Sequence, residues 1–280
     1  MLLTDYAVET YYLATLPARR RAAIDRAARQ TEPVRVMFYH RVADDHPNAW
    51  TISTRDFAAQ IRWLQGRFDI VSLAEAQARV TAGRNRFPTA CITFDDGYAD
   101  NMRFAVPFLL RHEIPFTYFV TSKNVLDGKP FPHDVAAGVP LAPNAPDQIR
   151  QLANAGVEIG AHTRTHADLG APTITPTQLT DEIVGSKCDL ETMLHREVRC
   201  FAFPYGMPEN ISTDTFRVAF QAGYRAVCSA YGGYNFPGDD PFHIRRFHAD
   251  PGLARFKNWL TVDPRKLKNH INFDPGNYHN

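Results

Sequence analysis

The chain has 280 residues, 44% hydrophobic and 22% charged, enough for a large domain with a substantial buried core. Lys and Arg number 31 against 30 Asp and Glu, so a net charge of +1 supplies no global field for gathering nucleic acid or an anionic membrane. No uninterrupted apolar stretch approaches the ~20 residues of a membrane span, and the four cysteines form no CxxC pair that would suit a zinc site.

Residues 5–30 predict an N-terminal helical arm, with Pro17 opening a second helix at Ala18. The first ten residues lack a basic region followed by an apolar one, which argues against a secretory signal and predicts a cytoplasmic protein. Val34–Tyr39, β-branched and aromatic behind Pro33, predicts a strand ending at His40. Residues 54–65 suit a helix capped by Thr54, and residues 68–71 a short strand. Ser72 caps a further helix, with Glu75 at the capping-box position. Thr89–Phe94 is an almost continuous apolar run, as expected of a strand buried on both faces, and it runs into Asp95, Asp96 and Gly97.

A helix over 99–112 and a strand over 116–121 follow, then a Pro- and Gly-rich loop over 122–146. A helix over 146–155 leads to a strand that ends at His162. Pro176 opens a long helix to about His195, with Thr175 as N-cap and Gln178 completing a capping box. A strand over 198–203 stops at Pro204. A helix over 212–222 and a strand over 225–229 come next, and the segment from Gly232 onward has no clear assignment. Cys91, Cys200 and Cys228 fall in the strand-like runs and read as small buried hydrophobes.

Strand and helix alternate about seven times, which implies a parallel sheet with right-handed crossovers. At this length, and without a Gly-rich dinucleotide turn, an α/β fold of the closed or nearly closed barrel type is expected. Such barrels carry their sites at the C-terminal ends of the strands, where His40, Asp95, Asp96, His162 and the turn after Phe203 all fall.

Asp95 and Asp96 repel one another at the end of an apolar strand, a cost that a cation would offset. Alone, Asp-Asp-Gly is equally turn chemistry. His162 and His166, four apart, could converge on one metal from one face of a helical turn, although an isolated HxxxH is more often a surface pair. Together, Asp96, His162 and His166 make a three-ligand set of the catalytic kind, leaving positions open for water and substrate. Zinc is the default ion, and other divalent cations also suit the set.

On these residues the chain resembles the polysaccharide deacetylases, also called the NodB-homology or family 4 carbohydrate esterases. Three motifs carry the resemblance: Thr93-Phe94-Asp95-Asp96-Gly97, His162-Thr163-Arg164-Thr165-His166, and Phe201-Ala202-Phe203-Pro204-Tyr205-Gly206. It spans roughly residues 34–250. It implies a distorted (β/α)7 barrel over 33–262, between a helical arm over 1–32 and a tail over 263–280. It implies that Asp96, His162 and His166 hold the metal, that Asp95 is the general base, and that the Tyr205 backbone N–H completes the oxyanion site.

Two features depart from the archetypal pattern. Ala202 stands where an Arg would steady the base, and an Asp-rich, Trp-containing fourth motif is missing. The chain is closer to the subgroup that includes poly-N-acetylglucosamine deacetylases, in some of which the acid histidine sits in an early Tyr-His segment. Phe38-Tyr39-His40-Arg41-Val42 matches that segment, so His40 is the expected general acid and His248 the alternative. Arg245 or Arg246 could replace the missing Arg beside Asp95.

The expected activity is metal-dependent removal of the N-acetyl group from a hexosamine-containing saccharide. A non-sugar amide or cyclic imide is the alternative substrate, and an inactive saccharide-binding module the alternative role. Tyr205, Tyr231 and Tyr234, with Phe236, are candidates for stacking on a sugar. His133 and His243 read as surface residues. No nucleic-acid partner or membrane span is expected, and the residues set no oligomeric state.

Overall fold

A computed structural model describes residues 3–268, 271 and 273–279. Nine strands form one parallel sheet: β1 (Val34–Tyr39), β2 (Asp69–Val71), β3 (Thr89–Phe94), β4 (Phe116–Val120), β5 (Glu158–Ala161), β6 (Cys200–Ala202), β7 (Ala226–Cys228), β8 (His243–Ile244) and β9 (Arg246–His248). Their order is β8-β7-β6-β5-β4-β3-β1-β9, with β2 beside the start of β3. β8 and β9 are the two halves of one segment, His243 to His248. Its first half pairs with β7 and its second with β1, so this single segment joins the two edges of the sheet.

The result is a nearly closed barrel, as the alternation implied, of the distorted (β/α)7 kind that the resemblance implied. β1, β3 and β4 are buried at every position, because such strands face the barrel interior on one side and a helix layer on the other. Cys91, Cys200 and Cys228 are buried in β3, β6 and β7, as their apolar setting predicted.

Several elements differ from their sequence reading. The N-terminal arm is one helix, Leu3–Arg29, that runs through Pro17 without a break. Ser53, not Thr54, caps the helix Thr54–Leu64. Residues 99–112 begin as a 3-10 turn before the helix Ala105–Arg111. Two short helices, Ser122–Asp127 and Pro132–Ala136, lie in the segment read as a loop. The unassigned region from Gly232 contains the closing segment and the helix Ala254–Leu260. Among the described residues, no helix is long and apolar enough to cross a membrane.

Candidate metal centre

β3 delivers Asp95 and Asp96 to the C-terminal mouth of the barrel, where both are 2% exposed. The chain turns sharply there. Asp96 takes a left-handed φ of 73°, and Gly97 follows at 91°. Asp95 N–H donates to the Tyr39 carbonyl and Thr121 N–H to that of Asp96, so neighbouring strand ends lock the turn. This bend sends two adjacent carboxylates to different partners.

Asp95 faces Arg246 on the closing segment. Nη1 donates to Oδ1 at 2.6 Å and Nη2 to Oδ2 at 2.8 Å, a two-pronged pair. Arg246 also donates to Thr93 Oγ1 and to the Ser229 carbonyl, and its guanidinium lies over the rings of Phe38 and Phe119. Burial opposes a charge on Asp95, but Arg246 and His162 outweigh it and hold the carboxyl below its usual range. Arg246 therefore stands where Ala202 leaves a gap in the third motif. Arg245 turns away and pairs with Asp239.

Asp96 faces the two histidines. Its Oδ1 lies 3.4 Å from His162 Nε2 and 3.2 Å from His166 Nε2, and the three atoms lie within 4.8 Å of one another. His162 Nδ1 donates to the Ala202 carbonyl at 2.7 Å, which leaves Nε2 as a bare acceptor. Asp96 Oδ1 is buried with no hydrogen-bond donor. Two acceptors facing each other in a buried site call for a cation or a proton between them. Donors about 2.0–2.2 Å from a tetrahedral ion stand roughly 3.3 Å apart, which fits these separations. The carbonyl behind His162 is the outer support that metal-bound imidazoles use. The residues thus fit a divalent ion, whose identity the donor set leaves open.

The histidines do not share a helix. They lie on a loop after β5, with left-handed φ at Thr163 (60°) and His166 (61°), and that curl brings the rings together. Glu182 accepts from the backbone of Arg164 and Thr165 and holds the curl. Burial disfavours charge on His166, but Asp96 beside it wins and raises its pKa above the ordinary value.

His40 and His248 end the neighbouring strands β1 and β9, with ring centroids 5.8 Å apart. Their surroundings differ. His40 Nδ1 is buried without a partner, and burial pushes the imidazole down to about 4. His248 Nδ1 is 2.9 Å from Asp250 Oδ1, so a carboxylate backs this imidazole.

Tyr205, with φ 60° and a 54% exposed side chain, follows β6 beside His166. Among the described residues, no acceptor pairs with its backbone N–H. Tyr231 and Tyr234 are not brought to this mouth. Tyr234 is fully buried, donates to the Trp259 carbonyl and accepts from Asp263 N–H, so no ring face is left for a sugar. Tyr231 contacts His243 and lines a separate cleft with Trp259. His243 is buried against Ser229, contrary to its reading as a surface residue. His133 is partly exposed at the rim, contacting Tyr98 and lying 6.0 Å from the His166 ring.

Sequence reading missed Trp50. It sits 43% exposed on the loop after β1, with its ring centroid 4.8 Å from His40 and 5.8 Å from His248. Buried Arg41 shapes that loop by bonding Asp100 and the carbonyls of Asp45 and His46. Asp134, which accepts from Asn48 and Tyr98, ties the loop to the opposite rim. Asp250, behind His248, was missed as well.

The family model for polysaccharide deacetylase matches residues 82–227, which is 146 of the 280 residues. YxkH of Bacillus subtilis (strain 168) is 23% identical over 222 residues, covering 78% of this chain and 72% of that protein. The structure of IcaB from Ammonifex degensii superposes with a TM-score of 0.69 at 26% identity, covering 83% of this chain and 99% of that one. The Streptococcus pyogenes deacetylase PplD, solved in complex with acetate, superposes with a TM-score of 0.68 at 19% identity, covering 84% and 100%.

Proposed function

This chain belongs to the polysaccharide deacetylase family, hydrolases of carbon–nitrogen bonds, and from that premise we propose that its barrel mouth removes the N-acetyl group from a hexosamine-containing saccharide with the help of a divalent cation. The observation that carries this reading is the trio of buried Asp96 and His162 with half-buried His166, held at ligand separations with an orphaned Asp96 oxygen.

A bound cation supplies Lewis-acid polarisation of the amide carbonyl and makes a water molecule more acidic. The remaining roles fall to the chain. Asp95, aimed by Arg246 and ionised across the neutral range, takes the proton of the attacking water. The Tyr205 N–H donates to the oxyanion that develops on the former carbonyl. His248, its Nδ1 held 2.9 Å from Asp250 Oδ1, returns a proton to the leaving amine. His40, buried and unprotonated near neutral pH, packs between Trp50 and Phe38 and shapes the wall beside that acid. Trp50 offers the broad apolar face on which a pyranose ring can stack.

Acetate release from N-acetylglucosamine oligosaccharides tests the proposal. It should disappear on chelation and return with a divalent cation. Release at full rate after exhaustive chelation would rule out the cation's role.

A further inference from the structure

The opposite end of the barrel holds a second unbalanced charge. Glu32 and Arg35 flank the start of β1, one strand length or roughly 20 Å from the mouth. Glu32 is fully buried between two guanidinium groups: Arg26 Nε donates to one oxygen at 3.0 Å and Arg35 Nη2 to the other at 2.7 Å. One carboxylate thus serves two cations and leaves a net charge of +1. Arg35 Nε and Arg26 Nη2 are buried with no acceptor. Burial lowers the pKa of Arg35 despite Glu32 beside it. Arg35 Nη1 is satisfied by the Pro33 carbonyl and Arg26 is half-buried, but two buried donors beside a surplus positive charge are costly unless an anion completes them.

These groups line a groove of about 460 Å³ between the N-terminal helix and the base of the barrel. Arg20 and Arg67, both exposed, line it too. Arg19 also borders the groove but is consumed by Thr15, Asn258 and Thr261. The remaining wall is apolar, with Leu16, Trp63, Phe68 and Leu260.

We infer that this groove is a binding site for a phosphoryl group carried on an apolar body, the phosphoryl completing Arg26 and Arg35 while the body lies against Trp63 and Phe68. Guanidinium forks suit phosphoryl oxygens, and aromatic walls suit a prenyl chain or a planar ring. The site is independent of the deacetylase chemistry at the mouth.

Calorimetric titration of the full chain with inorganic phosphate, uridine monophosphate and geranyl phosphate tests this. Geranyl phosphate should bind more tightly than inorganic phosphate, and its affinity should fall as salt rises. The exposed double variant R20Q/R67Q should weaken binding roughly tenfold or more while melting temperature and acetate release stay unchanged. If uridine monophosphate binds best with the same sensitivity to the variant, the phosphoryl assignment stands and the apolar body is a ring. No binding of any probe at millimolar concentration, or binding that R20Q/R67Q leaves unchanged, overturns the proposal.

Discussion

The two ends of the barrel carry opposite defects. At the mouth, Asp96 presents a buried oxygen without a donor; at the base, Arg35 and Arg26 present buried donors without an acceptor. Both ends bury charge, and in both a single partner is shared: Asp96 between two imidazoles, Glu32 between two guanidiniums. The residues at the mouth suit a cation, and those at the base, on the proposal above, suit an anion. Burial of charge is therefore not itself the mark of a site here. Asp95 and Arg246 are equally buried, yet they satisfy one another. The informative feature is the atom left over.

The sharpest break of this comparison is to remove the leftover oxygen at the mouth. Asp96→Asn should abolish cation binding, measured by metal content after dialysis, and reduce acetate release to background. Next in size, Asp95→Asn should lower kcat by roughly 10²–10⁴-fold while the cation stays bound, because it deletes the base and not a ligand. Arg246→Lys keeps the charge but loses the fork, so kcat should fall by about 10–100-fold with KM little changed. Arg246→Met should also destabilise the fold by about 3–5 kcal/mol in chemical denaturation, since Asp95 is left buried and alone.

The smaller effects concern the rim and the ligand set. Trp50→Ala should raise KM for oligosaccharides about 3–10-fold while sparing a small acetylated substrate, and Trp50→Phe should recover most of the loss. Cation uptake should also depend on pH. His166 in the cation-free site is raised above its ordinary 6.5, so a proton holds the place that the cation needs. Below the raised pKa, affinity should fall about tenfold per pH unit, measured by direct metal titration between pH 6 and 9.

The mouth was far more legible in the sequence than the base. Strands buried on both faces read as continuous apolar runs, so polar residues that stop them stand out, as Asp95, Asp96 and His162 do. The third motif was legible for the same reason. The HxxxH spacing named a pair whose rings do meet, but for a geometric reason that does not apply: they meet through left-handed backbone at Thr163 and His166, not on a helix.

Arg246 could only be offered beside Arg245, because β8 and β9 are too short to show which residue points inward. Trp50 and Asp250 belong to loops whose placement depends on long-range bonds, from Arg41 to Asp100 and from Gln60 to the carbonyls of Asp250 and Gly252. The base was illegible because its triad of Arg26, Glu32 and Arg35 straddles a helix end, with no motif to mark it.

The most direct test is metal stoichiometry in the wild type, Asp95→Asn and Asp96→Asn after dialysis against the same divalent ion. One cation per chain in the first two and none in the third, with acetate release at full rate in the wild type alone, is the predicted result. Retention of a full cation by Asp96→Asn with unchanged acetate release would contradict the assignment of these two neighbouring carboxylates.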